Sequence, residues 1–198
     1  TAAQVEMSRQ YAKWTGTQGP QELDAQLLAE RMVREWAHRP QFHLLLDLQP
    51  GEEPLLADTL DSLSTQLYAE WMLTVVSPLA APDGIDEISR VQWLSLKDAA
   101  HIPFVLNEMA IHSPCQWVAR ITPGLTFEPH ALLIVADHVN LRPDWALIYT
   151  DEDTREPDGS RSLPCFKPGP DPFMLRNQSF PGSFVAVRQD AFMAAGQF

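Results

Sequence analysis

The spacing of apolar residues along this chain switches repeatedly between two periods. The first forty residues read as helical: Leu28, Met32 and Trp36 recur every four positions and share one helix face, while Arg31 and Arg34 point elsewhere. Gly16 and Gly19-Pro20 are expected to break this region from a shorter segment carrying Tyr11 and Trp14, and Pro40 to end it. The run Phe42-His43-Leu44-Leu45-Leu46 is short, apolar and bounded by turn residues, as a buried parallel strand would be. An alternation follows. Leu56, Leu60, Leu63 and Leu67 make a helical stripe over residues 53–67, and Trp71 to Val76 reads as a strand. Ile102, Leu106 and Met109 mark a helix over 101–112, and Trp117 to Ile121 another strand. Leu132, Val135 and Val139 mark a helix over 128–139, and Trp145 to Tyr149 a fourth strand.

Strands alternating with helices of this length predict an α/β domain: a mostly parallel sheet with helices on both faces. Ligands in such sheets sit beyond the carboxyl ends of the strands, so chemistry is sought there. From Thr150 to Pro172 the chain turns rich in Asp, Pro and Gly, and reads as a long ordered loop or a small hairpin around Asp158-Gly159. A strand near Phe184–Val187 and a short helix follow. The expected division is a helical segment over 1–39 and one α/β domain over 40–198.

Composition narrows the partners. With 26 acids against 14 bases, the net charge of −12 repels a polyanion, and no basic patch overrides it, so nucleic acid is not an expected partner. No apolar run approaches the roughly 20 residues needed to cross a bilayer. No basic-then-apolar leader pattern appears either, which predicts a cytoplasmic protein. Cys115 and Cys165 are too few for a disulfide framework and read as reduced thiols. The six histidines are scattered; His130 and Asp137-His138 read as surface groups of one helix, so no metal site or other cofactor is expected from them.

One stretch points to a family. Ile148-Tyr149-Thr150-Asp151-Glu152-Asp153, then Asp158-Gly159, then Phe166-Lys167-Pro168, resembles the "Y-S-D-E-D … D-G … F-K-P" segment of family-2 glycosyltransferases that build bacterial surface polysaccharides. Leu60-Asp61-Ser62-Leu63 with Gln66, Tyr68 and Trp71, the lone Asn107, and Pro129-His130-Ala131-Leu132 resemble other segments of that family in the same order, as do Tyr11 and Trp14 of a leading helix. The resemblance implies a GT-A fold that binds a nucleoside diphosphate sugar, usually with a divalent metal. Acids at strand ends would hold that metal, which neutralises the charge growing on the departing diphosphate.

At those strand ends the chain departs from the family. Asp47-Leu48-Gln49-Pro50 stands where the family has a proline and then Tyr-Asn; Ser77-Pro78 replaces two aspartates after the second strand; and Thr122-Pro123-Gly124 falls on the D-x-D metal motif. None of the last three is a carboxylate that could hold Mg²⁺ or Mn²⁺. Candidate nucleotide-sugar contacts are therefore Asp47, Ser77, Thr122, Asp151, Asp153 and Lys167, with no metal ligand and no assigned catalytic group. Each has a structural alternative: Asp151 to Asp153 as a solvated acidic turn beside Arg155, Lys167 as a fastener of its loop, Asp47 as the cap of a turn. The expected function is a glycosyltransferase-like domain that is silent or incomplete. The alternatives are an active, metal-independent transferase and a structural module. Ala195-Gly196-Gln197-Phe198 resembles the family's "G-G-F" element, after which active members continue into an acceptor-binding half. Phe192, Met193 and Phe198, with an open strand edge near 184–187, are therefore expected to offer an apolar face to a second copy or to an active transferase domain.

Overall fold

The computed structural model describes residues 2–18, 22–178 and 180–196. Its centre is a six-stranded sheet made of β1 (Phe42–Asp47), β2 (Trp71–Ser77), β3 (Val91–Ser95), β4 (Trp117–Ile121), β5 (Leu147–Tyr149) and β8 (Val185–Arg188), in the order β3-β2-β1-β4-β8-β5. β1 pairs in parallel with both β2 and β4, and β2 with β3. β8 alone runs antiparallel, between β4 and β5. The first five strands thus point their carboxyl ends the same way. The remaining strands, β6 (Glu152–Arg155) and β7 (Arg161–Cys165), form the hairpin expected around Asp158-Gly159.

β1 lies at the middle and has cover on both faces, which is why its apolar run is continuous. Phe42, Leu44 and Leu46 face a layer made by α2 (Glu22–Arg34), α3 (Glu53–Ser64) and α5 (Ala131–Leu141). Leu45 faces the opposite layer, where α4 (Ile102–Ile111) contributes Ile102, Leu106 and Ala110 and α7 (Gln189–Ala195) contributes Phe192. Each such buried side chain is worth roughly 1.5–3 kcal/mol over its exposed state. His43 is the one polar residue inside β1. It is buried, with Nδ1 2.9 Å from the Ser113 hydroxyl and Nε2 2.8 Å from the Thr74 hydroxyl.

Several expectations shift. α1 (Ala2–Gln18) runs through Gly16, so that glycine does not interrupt it; Gly19-Pro20 lie outside the described residues. Arg31 does not point away from the body: its guanidinium bonds Asp137 at 3.0 Å. Asp137 is buried on α5 and also accepts from Trp36 Nε1 at 3.0 Å, so it is no surface group. Removing it leaves a half-buried indole N–H and a half-buried cation without their acceptor. Asp137→Ala should therefore cost about 2–4 kcal/mol in denaturant melts, and Asp137→Asn about half that.

α3 stops at Ser64, and Leu67 leaves the stripe because its N–H is taken by the Pro129 carbonyl at 2.8 Å. The expected open edge at 184–187 is absent, since β8 is paired on both sides. Phe192 is buried and only Met193 of that set is exposed; Phe198 lies outside the described residues. Among the described residues no helix is long and apolar enough to cross a membrane.

Candidate functional site at the carboxyl ends of the strands

The carboxyl ends of β1 and β4 frame a cleft of about 250 Å³ lined by Asp47, Gln49, Glu52, Arg120, Ile121, Thr122 and Pro123. Parallel register sets Leu46 opposite Ile121 and Leu45 opposite Arg120. Side chains two apart share a face, so Asp47 and Arg120 meet on one side of the sheet. Arg120 Nη2 donates to Asp47 Oδ2 at 2.9 Å. The other carboxylate oxygen accepts from Gln49 Nε2 at 3.1 Å. Glu52 accepts from the Gln49 N–H at 2.8 Å, which closes the turn after β1. Below Thr122 the chain crosses α3 closely: the Gly124 N–H donates to the Leu55 carbonyl at 3.1 Å and to the Thr59 hydroxyl at 3.0 Å. Gly124 has φ +86°, which a residue with a Cβ adopts only with strain.

Of the residues singled out in the sequence, Asp47 and Thr122 share this cleft. Ser77, at the end of β2, is fully buried and does not line it. Its hydroxyl donates to the Leu48 carbonyl at 2.8 Å and accepts from the Leu79 N–H at 3.1 Å, tying the end of β2 to the chain after β1.

Asp151, Asp153 and Lys167 belong to a second group around the β6–β7 hairpin and do not line the cleft. Asp151 accepts from the Lys167 N–H at 2.7 Å. Asp153 accepts from the Tyr11 hydroxyl at 2.6 Å and from Arg161 Nε at 2.5 Å, and Arg161 also reaches Glu128 at 2.8 Å. Burial, then the hydrogen bond to Asp153 and its charge, push the Tyr11 phenol up to about 12. The Lys167 side chain is 2% exposed, and its ammonium sits between Glu152 at 3.2 Å and the Pro181 carbonyl at 2.7 Å. Burial alone would raise the Glu152 carboxyl, but the Ser183 N–H and the Lys167 ammonium outweigh it and hold Glu152 below the usual range.

Sequence reasoning missed Arg120, Gln49 and Glu52. A charged residue one place from the end of an otherwise buried strand was the available signal for Arg120. The divalent metal that the resemblance implies does not fit the residues present. Among the described residues no three of His, Cys, Asp and Glu converge on one point. Asp47, a carboxylate of this cleft, already carries a guanidinium that would repel a cation.

The fold finds close counterparts. The structure of residues 1–349 of S. aureus TarS in complex with UDP covers 78% of this chain and 48% of its own, with TM-score 0.59 at 11% identity. The longer S. aureus TarS structure covers 79% of this chain and 30% of its own, also with TM-score 0.59, at 10% identity. These neighbours are glycosyltransferases of the GT-A type, and the chain has that fold. In sequence it is similar to the O-antigen biosynthesis protein RfbC of Myxococcus xanthus, 29% identical over 194 residues, covering 94% of this chain and 15% of that protein. It is also similar to the uncharacterized protein y4gI of Sinorhizobium fredii (strain NBRC 101917 / NGR234), 24% identical over 154 residues, 72% of this chain and 17% of that protein. The chain thus spans less than a fifth of either relative. No family model matches it.

Proposed function

We propose that this chain is a GT-A-like domain of a longer polysaccharide-assembling protein in which sugar transfer has been lost, leaving a non-catalytic module. The Asp47–Arg120 pair carries this reading. Transfer from a nucleoside diphosphate sugar releases a diphosphate whose growing charge must be met by fixed positive charge. Here the single cation in the cleft is spent on Asp47, and Glu52 adds a second acid to the lining. The cleft therefore opposes a diphosphate rather than stabilising it. Ser77, Asp153 and Lys167 belong, in this reading, to the scaffold.

Two measurements test it. Incubation with UDP-glucose, UDP-N-acetylglucosamine and GDP-mannose, with and without Mn²⁺, should release no nucleoside diphosphate. Calorimetry with UDP should show no gain from Mn²⁺. A tenfold metal-dependent gain, about 1.4 kcal/mol, would mean that carboxylates of this chain still hold the ion. Donor turnover that persists in chelator and is lost in Arg120→Gln would instead make Arg120 the group that meets the diphosphate, and the module an active, metal-independent transferase.

A further inference from the structure

A second pocket lies at the opposite end of the sheet. Trp71 is the first residue of β2 and Val91 the first of β3, so the space they line sits at the amino ends of these parallel strands, remote from the β1–β4 cleft. It measures about 280 Å³, small for a drug-sized ligand and suited to a single sugar ring.

Its walls divide by chemistry. Leu60 of α3, Ile88, Val91 and the indole of Trp71 make the apolar side. Asp61, Ser64, Ser89 and Arg90 make the polar rim. Asp61 and Arg90 are both exposed, and among the described residues neither makes an ion pair. Arg90 lies on the Trp71 ring at 5.4 Å from its centroid, a contact that a long, flexible side chain gives up readily. Beneath it, Trp71 Nε1 is the one buried side-chain donor among the described residues with no acceptor. A leucine would fill this edge of the sheet without stranding an N–H, so packing alone does not account for an indole here.

We infer that this pocket binds a neutral pyranose unit of a saccharide, with its C–H face against Trp71, Ile88 and Val91 and its hydroxyls on Asp61 and Arg90. One acid and one base cancel, so neither a phosphate nor a polyamine gains from the rim's charge, whereas a hydroxyl both donates and accepts and can use both groups. Ser64 gives its proton to the Asp61 carbonyl at 2.7 Å, which leaves its oxygen as an acceptor. Entry is expected to move Arg90 off the indole face and to offer the unpartnered Nε1 a ring hydroxyl. This site does not depend on the loss of transfer proposed for the other cleft.

The test is a titration of the whole chain with methyl β-glucoside, methyl α-mannoside and N-acetylglucosamine, followed by ¹⁵N correlation spectra. The Trp71 indole N–H is assigned through Trp71→Phe. At least one of these probes should move that resonance saturably in the millimolar range while the Thr122 and Gly124 amides stay still. Arg90→Ala and Asp61→Asn, both exposed positions, should each weaken binding by about tenfold, and Arg120→Gln should not. A Trp71 resonance that no probe moves overturns the inference. So does a response unchanged in the Asp61→Asn, Arg90→Ala double variant, or one reproduced as strongly by inorganic phosphate. UDP is titrated separately, and its result bears only on the β1–β4 cleft.

Discussion

Lowering the pH from about 7 to about 4 should remove about 3 kcal/mol of folding stability through His43 alone. Burial in the centre of β1 lowers its pKa from 6.5 to about 4. The neutral ring is well served, since Ser113 and Thr74 supply one hydroxyl at each nitrogen. The charged ring would have no carboxylate among these partners. Between the two pKa values the unfolded chain binds a proton that the folded chain refuses, so stability rises with pH across this window. The full contribution is present above about 6.5 and is lost as the pH falls toward 4. His130, also lowered by burial, acts in the same direction. Comparison with His43→Gln isolates the effect, because glutamine offers the two hydroxyls a donor and an acceptor without titrating. The variant should start less stable at neutral pH and lose about 3 kcal/mol less on acidification. Parallel stability-versus-pH curves for the two proteins would show that His43 is not the sensitive group.

How far the sequence reveals this molecule depends on how local each feature is. β1, β2 and β4 were legible because strands covered on both faces read as unbroken apolar runs. β3 was not: Val91, Trp93 and Leu94 are half-buried while Gln92 and Ser95 are exposed, as befits an edge strand, and five residues of mixed character give no clear period. The strand near 184–187 was legible, but its place between β4 and β5 was not, because pairing with partners as far away in sequence as Trp117 and Leu147 leaves no local mark. That Ser77-Pro78 and Thr122-Pro123-Gly124 carry no acid could be read directly. That the Ser77 side chain is sealed off by backbone partners could not, since Leu48 and Leu79 are fixed only by the turns after β1 and β2. Arg120 was hidden by its surroundings, a cation inside Trp117 to Ile121 that reads as surface until Asp47 is seen beside it.

Glycine 182 and Lys167 should prove the most costly surface-loop positions to change, and costly together rather than separately. Gly182 has φ +80°, and a Cβ there would stand on the Lys167 ammonium and 2.5 Å from Glu152 Oε1. Gly182→Ala must therefore both strain the backbone and push the ammonium off Glu152 and the Pro181 carbonyl, a loss of about 3–4 kcal/mol. Lys167→Met keeps the stem and deletes the charge. A buried pair broken on one side costs about 3–5 kcal/mol, and Glu152, whose side chain is 31% exposed, recovers part of that from water, so about 2–3 kcal/mol is expected. In the double variant no ammonium is left for the methyl group to displace, so the combined loss should fall short of the sum by more than about 1 kcal/mol. Strict additivity in denaturant melts would show that Gly182, Lys167 and Glu152 do not act as one lock. The lock also bears on what holds the stretch from Tyr149 to Pro168 together. Tyr149 donates to the Pro168 carbonyl at 2.6 Å, Asp151 holds the Lys167 N–H, and Glu152 holds the Lys167 ammonium. These groups are spent on each other, so none of them needs a bound donor to be satisfied. Donor affinity and turnover measured on any Lys167 variant that remains folded should accordingly match those of the unaltered chain.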